Sequence, residues 1–254
     1  MSTAASPLAL RVRFRTFSAA AAAAFALAFA AASASPLRAQ EGDEITKEMA
    51  SLDAAVKAKN EQDILASIDL LIEKSRDATK EHKRVADAIG KVLNSDLSKA
   101  QIHASKALAD LGPAGSGPLK KAAGAKEIRS EESKKEVYLA VIDAIAKTGD
   151  EENVDFLLKL LKDKDNDVIA AVATSAKYYA RASGAVRKKI VENLVTVLEG
   201  SYGASQNNRD TTAVKKYETI STPMLQTLQE LTGERIGTPT EWRKWFNENK
   251  KRKW

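Results

Sequence analysis

Two stretches of this chain read alike at a distance of 37 residues. Ala107–Ala122 (ALADLGPAGSGPLKKA) and Ala144–Leu161 (AIAKTGDEENVDFLLKLL) overlay so that Leu108 meets Ile145, Gly112 meets Gly149 and Leu119 meets Phe156. In both, a helix ends at a glycine, the residue that enters the left-handed cap without a Cβ penalty. A proline or an acidic residue follows, and a new apolar helix begins. A period of this length belongs to helical hairpins stacked in a row, where no hairpin covers its own apolar face and each needs its neighbour. The pattern predicts an all-α chain built as an α-solenoid.

The rest of the chain carries the same helical spacing. Ile45, Met49, Leu52 and Val56 fall on one face of a first helix. Ile64, Leu65, Ile68, Leu71 and Ile72 mark a second, and Val85, Ile89, Val92 and Leu93 a third. Ile102, Ala104, Ala107, Leu108 and Leu111 mark a fourth. Each stripe is one-sided and calls for a covering neighbour. No stretch alternates with period two for long enough to predict a strand.

Residues 1–39 stand apart. Residues 1–16 are basic and acid-free, Phe17 to Ala32 is apolar, and two small-residue cleavage sites follow, Ala32-Ser33-Ala34 and Leu37-Arg38-Ala39. This is the three-part pattern of a secretory signal peptide. Its apolar part is shorter than the ~20 residues that span a bilayer. The expectation is an exported chain, periplasmic or extracellular after cleavage at one of the two sites, with no transmembrane span in the mature part. It has no cysteine, hence no disulfide. The expected organisation is a signal peptide over 1–39, a helical repeat domain over 40–236, and a capping helix with a basic tail over 237–254.

The leader also decides how the charge is read. The formal net charge is +6. Arg11, Arg13, Arg15 and Arg38 lie in the leader, and without them 36 basic residues face 34 acidic ones, or +2. Lys250, Lys251, Arg252 and Lys253 crowd the C-terminus, and setting them aside leaves the body at −2. Binding to nucleic acid needs a cationic excess that displaces counterions from phosphates. This body lacks it, so nucleic acid is not an expected partner.

Thr148–Ala180 (TGDEENVDFLLKLLKDKDNDVIAAVATSAKYYA) resembles a HEAT repeat, with a first helix, an acidic turn and an Ala-rich second helix. Leu111–Leu119 resembles the start of another such unit. The family often places Arg after the Val that opens the second helix, whereas here Val168 is followed by Ile169. Residues 126–136 add charged length to one unit. The C-terminal LTGERIGTPTEWRKWFNENKKRKW is similar to the ending of exported HEAT-repeat proteins of planctomycete-like bacteria. In it, Thr238-Pro239-Thr240-Glu241 forms a capping box with Pro at the first helical position. Trp242, Trp245 and Phe246 share one face and suit a helix that closes the open end of a core.

No catalytic, cofactor or metal site is read from the residues. Asp163, Asp165 and Asp167 have the spacing of a calcium-loop start, but Val168 and Thr174 stand where the loop needs Gly and an acid. The expectation there is a turn with Asp167 capping the next helix. His82 and His103, the only histidines, are expected on solvent-facing helix positions. Gly112, Gly115 and Gly117 read as an inter-repeat turn. Gly200 to Thr211 reads as a polar loop. No enzyme is expected, although a constellation assembled from distant residues would escape this reading.

The expected work is holding a partner, most of all another protein. The HEAT resemblance implies that second helices line a concave face, which places Tyr178 and Tyr179 as candidate contact residues, one in the core and one on the groove. Lys250, Lys251, Arg252, Lys253 and Trp254 are candidates for a different task, anchoring to an anionic envelope polymer or lipid.

Overall fold

The structure, a computed structural model, describes residues 42–254. The leader read over 1–39 lies outside the described residues. Among those described there are twelve α-helices joined by short 3-10 turns, and no strand. Helix α1 covers 42–58 and α2 Glu61–Ser75. Next come α3 (His82–Gly90) and α4 (Ser98–Asp110). Helices α5 (Ser116–Gly124) and α7 (Lys135–Lys147) are separated by a short extra helix, α6 (Lys126–Ser130). The chain continues through α8 (Val154–Leu160), α9 (Asn166–Ser175), α10 (Gly184–Ser205), α11 (Thr211–Thr232) and α12 (Pro239–Asn249).

The 37-residue offset is visible in the backbone. Helix α4 runs Ser98–Asp110 and α7 runs Lys135–Lys147, the same element shifted by one period. Gly112 and Gly149 follow them with φ of 61° and 70°, the left-handed conformation that favours glycine. Equivalent positions of the two units also touch. Lys147 Nζ donates to Asp110 at 2.8 Å, and Asn153 Nδ2 donates to Ser116 Oγ at 3.0 Å. Ser116 and Asn153 are buried, where a polar group without a partner costs about 1–3 kcal/mol, so this second pair fixes the register as well as adding a contact.

Helices α2, α4, α7, α9 and α11 form a row in which each packs against the next. A second set covers it: α3 lies on α4, α5 on α7, α8 on α9 and α10 on α11. One apolar cluster extends from Ile45 to Phe246 through this sandwich. The predicted stripes face it. Ile64, Ile68 and Leu71 of α2, and Val85 and Ile89 of α3, are fully buried. Each such side chain contributes about 1.5–3 kcal/mol of transfer free energy.

Three local expectations are corrected. Gly200 to Thr211 is not a loop up to its last residue, because α10 continues through Ser205 and only 206–210 link it to α11. A helical glycine costs about 1 kcal/mol. Here Ser201 and Ser205 are buried and the Tyr202 ring packs on Tyr217 at 5.4 Å, which holds the helix through Gly200 and Gly203. The cap of α9 is Asp165, whose side chain accepts from the Asp167 N–H at 2.8 Å, and Asp167 sits in the first turn. The histidines are not free surface residues. His82 Nε2 lies 2.9 Å from the Ser75 carbonyl, and His103 Nε2 lies 2.7 Å from Asp69 Oδ1. Each ties α2 to the following hairpin.

Candidate functional site

The row of helices carries a surface patch at its middle. Helix α4 supplies Asp110, α7 supplies Asp143 and Lys147, and the 3-10 turn after α9 (Ala176–Arg181) supplies Lys177 and Tyr178. Asp110 accepts from Lys147, and Asp143 accepts from Ser175 Oγ at 2.9 Å. Lys147 is raised above its ordinary pKa first by its hydrogen bond to Asp110, with burial acting against it and the carboxylates of Asp110 and Asp143 and the nearby Tyr178 adding to the rise. Its ammonium therefore senses residues of α4, α7 and the turn after α9 together.

Tyr178 stands at the edge of this patch. It is 39% exposed, with the Lys177 ammonium 5.7 Å from its ring centre. Tyr179, one residue on, is 1% exposed, and its hydroxyl donates to the Asp150 carbonyl at 3.2 Å. The pair divides as the helical geometry demands, with one ring in the core and one in solvent. Only Tyr178 is placed to touch another molecule.

Burial raises the Tyr179 hydroxyl above its ordinary value of 10.0, and the charges of Asp150 and Glu151 push the same way. A group raised in the folded state contributes stability that is intact below its unfolded pKa and is lost as pH climbs through the folded one. Urea-unfolding free energies are therefore expected to fall above about pH 10, and Tyr179→Phe is expected to flatten that slope. An equal slope in the variant would show that Tyr179 takes no part.

The C-terminal tail is docked rather than free. The Arg252 guanidinium lies against two indoles, 4.7 Å from the Trp245 ring centre and 4.9 Å from that of Trp254. It also reaches Glu234 at 3.8 Å. Trp254 packs against the first turn of α10. A Cβ on Gly184 would come within 2.8 Å of the Trp254 carbonyl carbon, so the glycine is what lets the tail approach. Of the tail residues named for anchoring, Lys250, Lys251 and Lys253 point to solvent, while Arg252 and Trp254 are engaged internally.

Leu70 on α2, 41% exposed, is the other large apolar side chain open to solvent among the described residues. It lies off the stripe formed by Ile64, Ile68, Leu71 and Ile72, so the helical periodicity does not single it out. A large apolar residue outside such a stripe is the signal that marks it. No helix among the described residues is long and apolar enough to cross a membrane. Comparison with protein-family models and with curated proteins finds no match for the chain. What the fold and the surface define is an all-helical protein of packed hairpins.

Proposed function

We propose that the chain is an exported α-solenoid of HEAT type that holds a partner protein on the Asp110–Lys147–Tyr178 patch. The task is holding rather than a reaction. The observation that carries this reading is the exposed Tyr178 ring beside paired charges drawn from successive hairpins. Tyrosine ranks among the residues that dominate interface energies, and paired rim charges fix orientation around it. The sequential packing of α2, α4, α7, α9 and α11 supports a solenoid, and the leader read over 1–39 supports export.

Capturing partners from an envelope extract with the wild-type chain and with Tyr178→Ala tests the reading. A specific partner is expected to be lost, or weakened roughly tenfold or more, with Tyr178→Ala. The melting temperature should hold, because the side chain is exposed. Identical capture by both proteins would sink the proposal. Anchoring to an anionic envelope component is a second reading, favoured by the exposed Lys250, Lys251 and Lys253. It predicts salt-sensitive envelope association that disappears when the three become glutamine.

A further inference from the structure

We infer that the seam between α3 and α5 is a docking site for an acidic segment of a partner protein, separate from the Tyr178 patch. The sequence from Leu111 to Lys126 holds Lys120, Lys121 and Lys126 and no Asp or Glu. Among the described residues none of the three forms an ion pair, unlike Lys57, Lys135 or Lys147. Lys120 and Lys121 lie on α5 and Lys126 opens α6, and of the three Lys121 lines the cavity beside the seam. Cations without a counter-charge attract anionic groups.

The seam gives that charge a shaped receptor. Helices α3 and α5 pack at Gly90 and Pro118, where a Cβ on Gly90 would stand 2.7 Å from the proline ring. Beside this contact lies a cavity of about 280 Å³. Its lining includes Leu93 and Ala122, both almost wholly buried. Lys91 enters from the end of α3 and Lys121 from α5, and Asp87 is the one carboxylate in the lining. Lys91 lies 3.5 Å from Asp53, but Asp53 is held more closely by Lys57 at 2.7 Å. Lys57 is the main cause of the lowered Asp53 pKa. Lys91 can therefore turn to a new carboxylate without stranding Asp53.

A second cavity, of about 310 Å³, shares Leu93 and Asn94 with the first. Glu127 and Glu131 line it, and Lys134 donates within it to neutral acceptors, Gln101 Oε1 at 2.8 Å and the Asp96 carbonyl at 3.1 Å. The two neighbouring cavities thus differ in sign, the first lined by Lys91 and Lys121 against Asp87, the second by Asp96, Glu127 and Glu131 against Lys134. A uniform polyanion that fills the first cavity runs into Glu127 and Glu131 in the second. A peptide can change character between the two, with acidic residues at Lys91 and Lys121 and neutral or basic residues beyond. That sign change selects a protein segment over nucleic acid, polyphosphate or a lipid surface.

The test is fluorescence anisotropy with the purified full chain and a fluorescein-labelled peptide of three glutamates followed by Ser-Gly-Ser. Saturable binding is expected. Lys121→Glu should weaken it roughly tenfold or more, and Asp87→Asn should tighten it about threefold, since it removes the opposing carboxylate. The tightening cannot arise from unfolding, which keeps the outcome readable if Lys121→Glu is less stable. Replacing Lys250, Lys251 and Lys253 by glutamine should change nothing. Unaltered affinity in both Lys121→Glu and Asp87→Asn overturns the site. Polyphosphate that competes equally well and shows the same two effects overturns the choice of a protein segment. Tyr178-dependent capture should persist in Lys121→Glu, so failure at the seam is distinguishable from failure of the function proposed above.

Discussion

Gly115→Ala is expected to destabilise the chain by about 3 kcal/mol, whereas Gly117→Ala, two residues on, is expected to leave stability unchanged or raise it. Gly115 ends the 3-10 turn Gly112–Gly115, which folds back onto α4. A methyl group placed on it would overlap the Leu108 carbonyl, 2.7 Å from the carbon and 3.1 Å from Leu108 Cα. The obstacle is helix backbone, not the movable end of a side chain. To admit the methyl, the turn must lift from α4 and take Ser116 with it. Ser116 donates to Thr148 Oγ1 and accepts from Asn153 Nδ2, both buried, so lifting it also loosens the link to the next hairpin. Overpacking of this kind costs about 1–3 kcal/mol when side chains can yield, and the upper end applies where they cannot. Gly117 has no atom within 4 Å of an added Cβ. There the alanine only gains helix propensity, up to about 1 kcal/mol. Equilibrium urea unfolding of the two variants gives the comparison. Equal midpoints would show that the approach of the turn to α4 is not tight.

The same pair of glycines shows what kind of information the sequence carries. Gly112 and Gly149 announced the period because a left-handed cap leaves a residue-type signature, and the apolar stripes announced which faces pack. Gly115 and Gly117 look identical as letters, and their opposite environments exist only once α4 and the turn are in place. Gly200 misled for the related reason that tertiary packing of Ser201, Ser205 and Tyr202 outweighs a local preference worth about 1 kcal/mol. Asp165 and Asp167 are both competent caps, and a shift of two residues in the helix start decides between them.

The candidate patch was half legible. Tyr178 was readable as one of two adjacent aromatics, only one of which a helix can bury. Its charged neighbours were readable in principle, because Asp110 and Lys147 are equivalent positions one period apart and stacked repeats bring such positions together. The docking of Arg252 and Trp254 was not legible. A KKRKW tail has the composition of a solvated end, and nothing in it announces that Gly184, seventy residues earlier, leaves room for the main chain of Trp254.

Trp242→Ala is expected to cost about 4 kcal/mol and to release α12 before the rest of the molecule. Trp242 is fully buried and is the largest of the buried side chains. Truncating a buried tryptophan removes its transfer free energy and leaves a cavity, together about 3–5 kcal/mol. The indole N–H also donates to the Ile236 carbonyl at 3.0 Å, and alanine leaves that acceptor in the loop before α12 without its donor. The loss spreads outward because the aromatic residues are stacked in series. Trp242 meets Trp245 edge-on at 5.4 Å, and Trp245 meets Trp254 at 5.9 Å, with Arg252 lying against both of the latter rings. Without the first ring the later ones lose their support, and the contact of α12 with α10 loosens. Thr238, which caps α12 by accepting from the Glu241 N–H at 3.3 Å, is worth only about 1 kcal/mol and cannot hold the helix alone. Trp245→Ala removes a partly exposed ring and is expected to cost less than half as much, about 1.5 kcal/mol. Urea unfolding ranks the two variants. Hydrogen exchange then locates the effect: in Trp242→Ala, amides of 239–249 should exchange much faster while those of α4 and α7 keep most of their protection. A loss under 1 kcal/mol, or deprotection spread evenly over all the helices, would mean that α12 does not serve as the end-piece of this core.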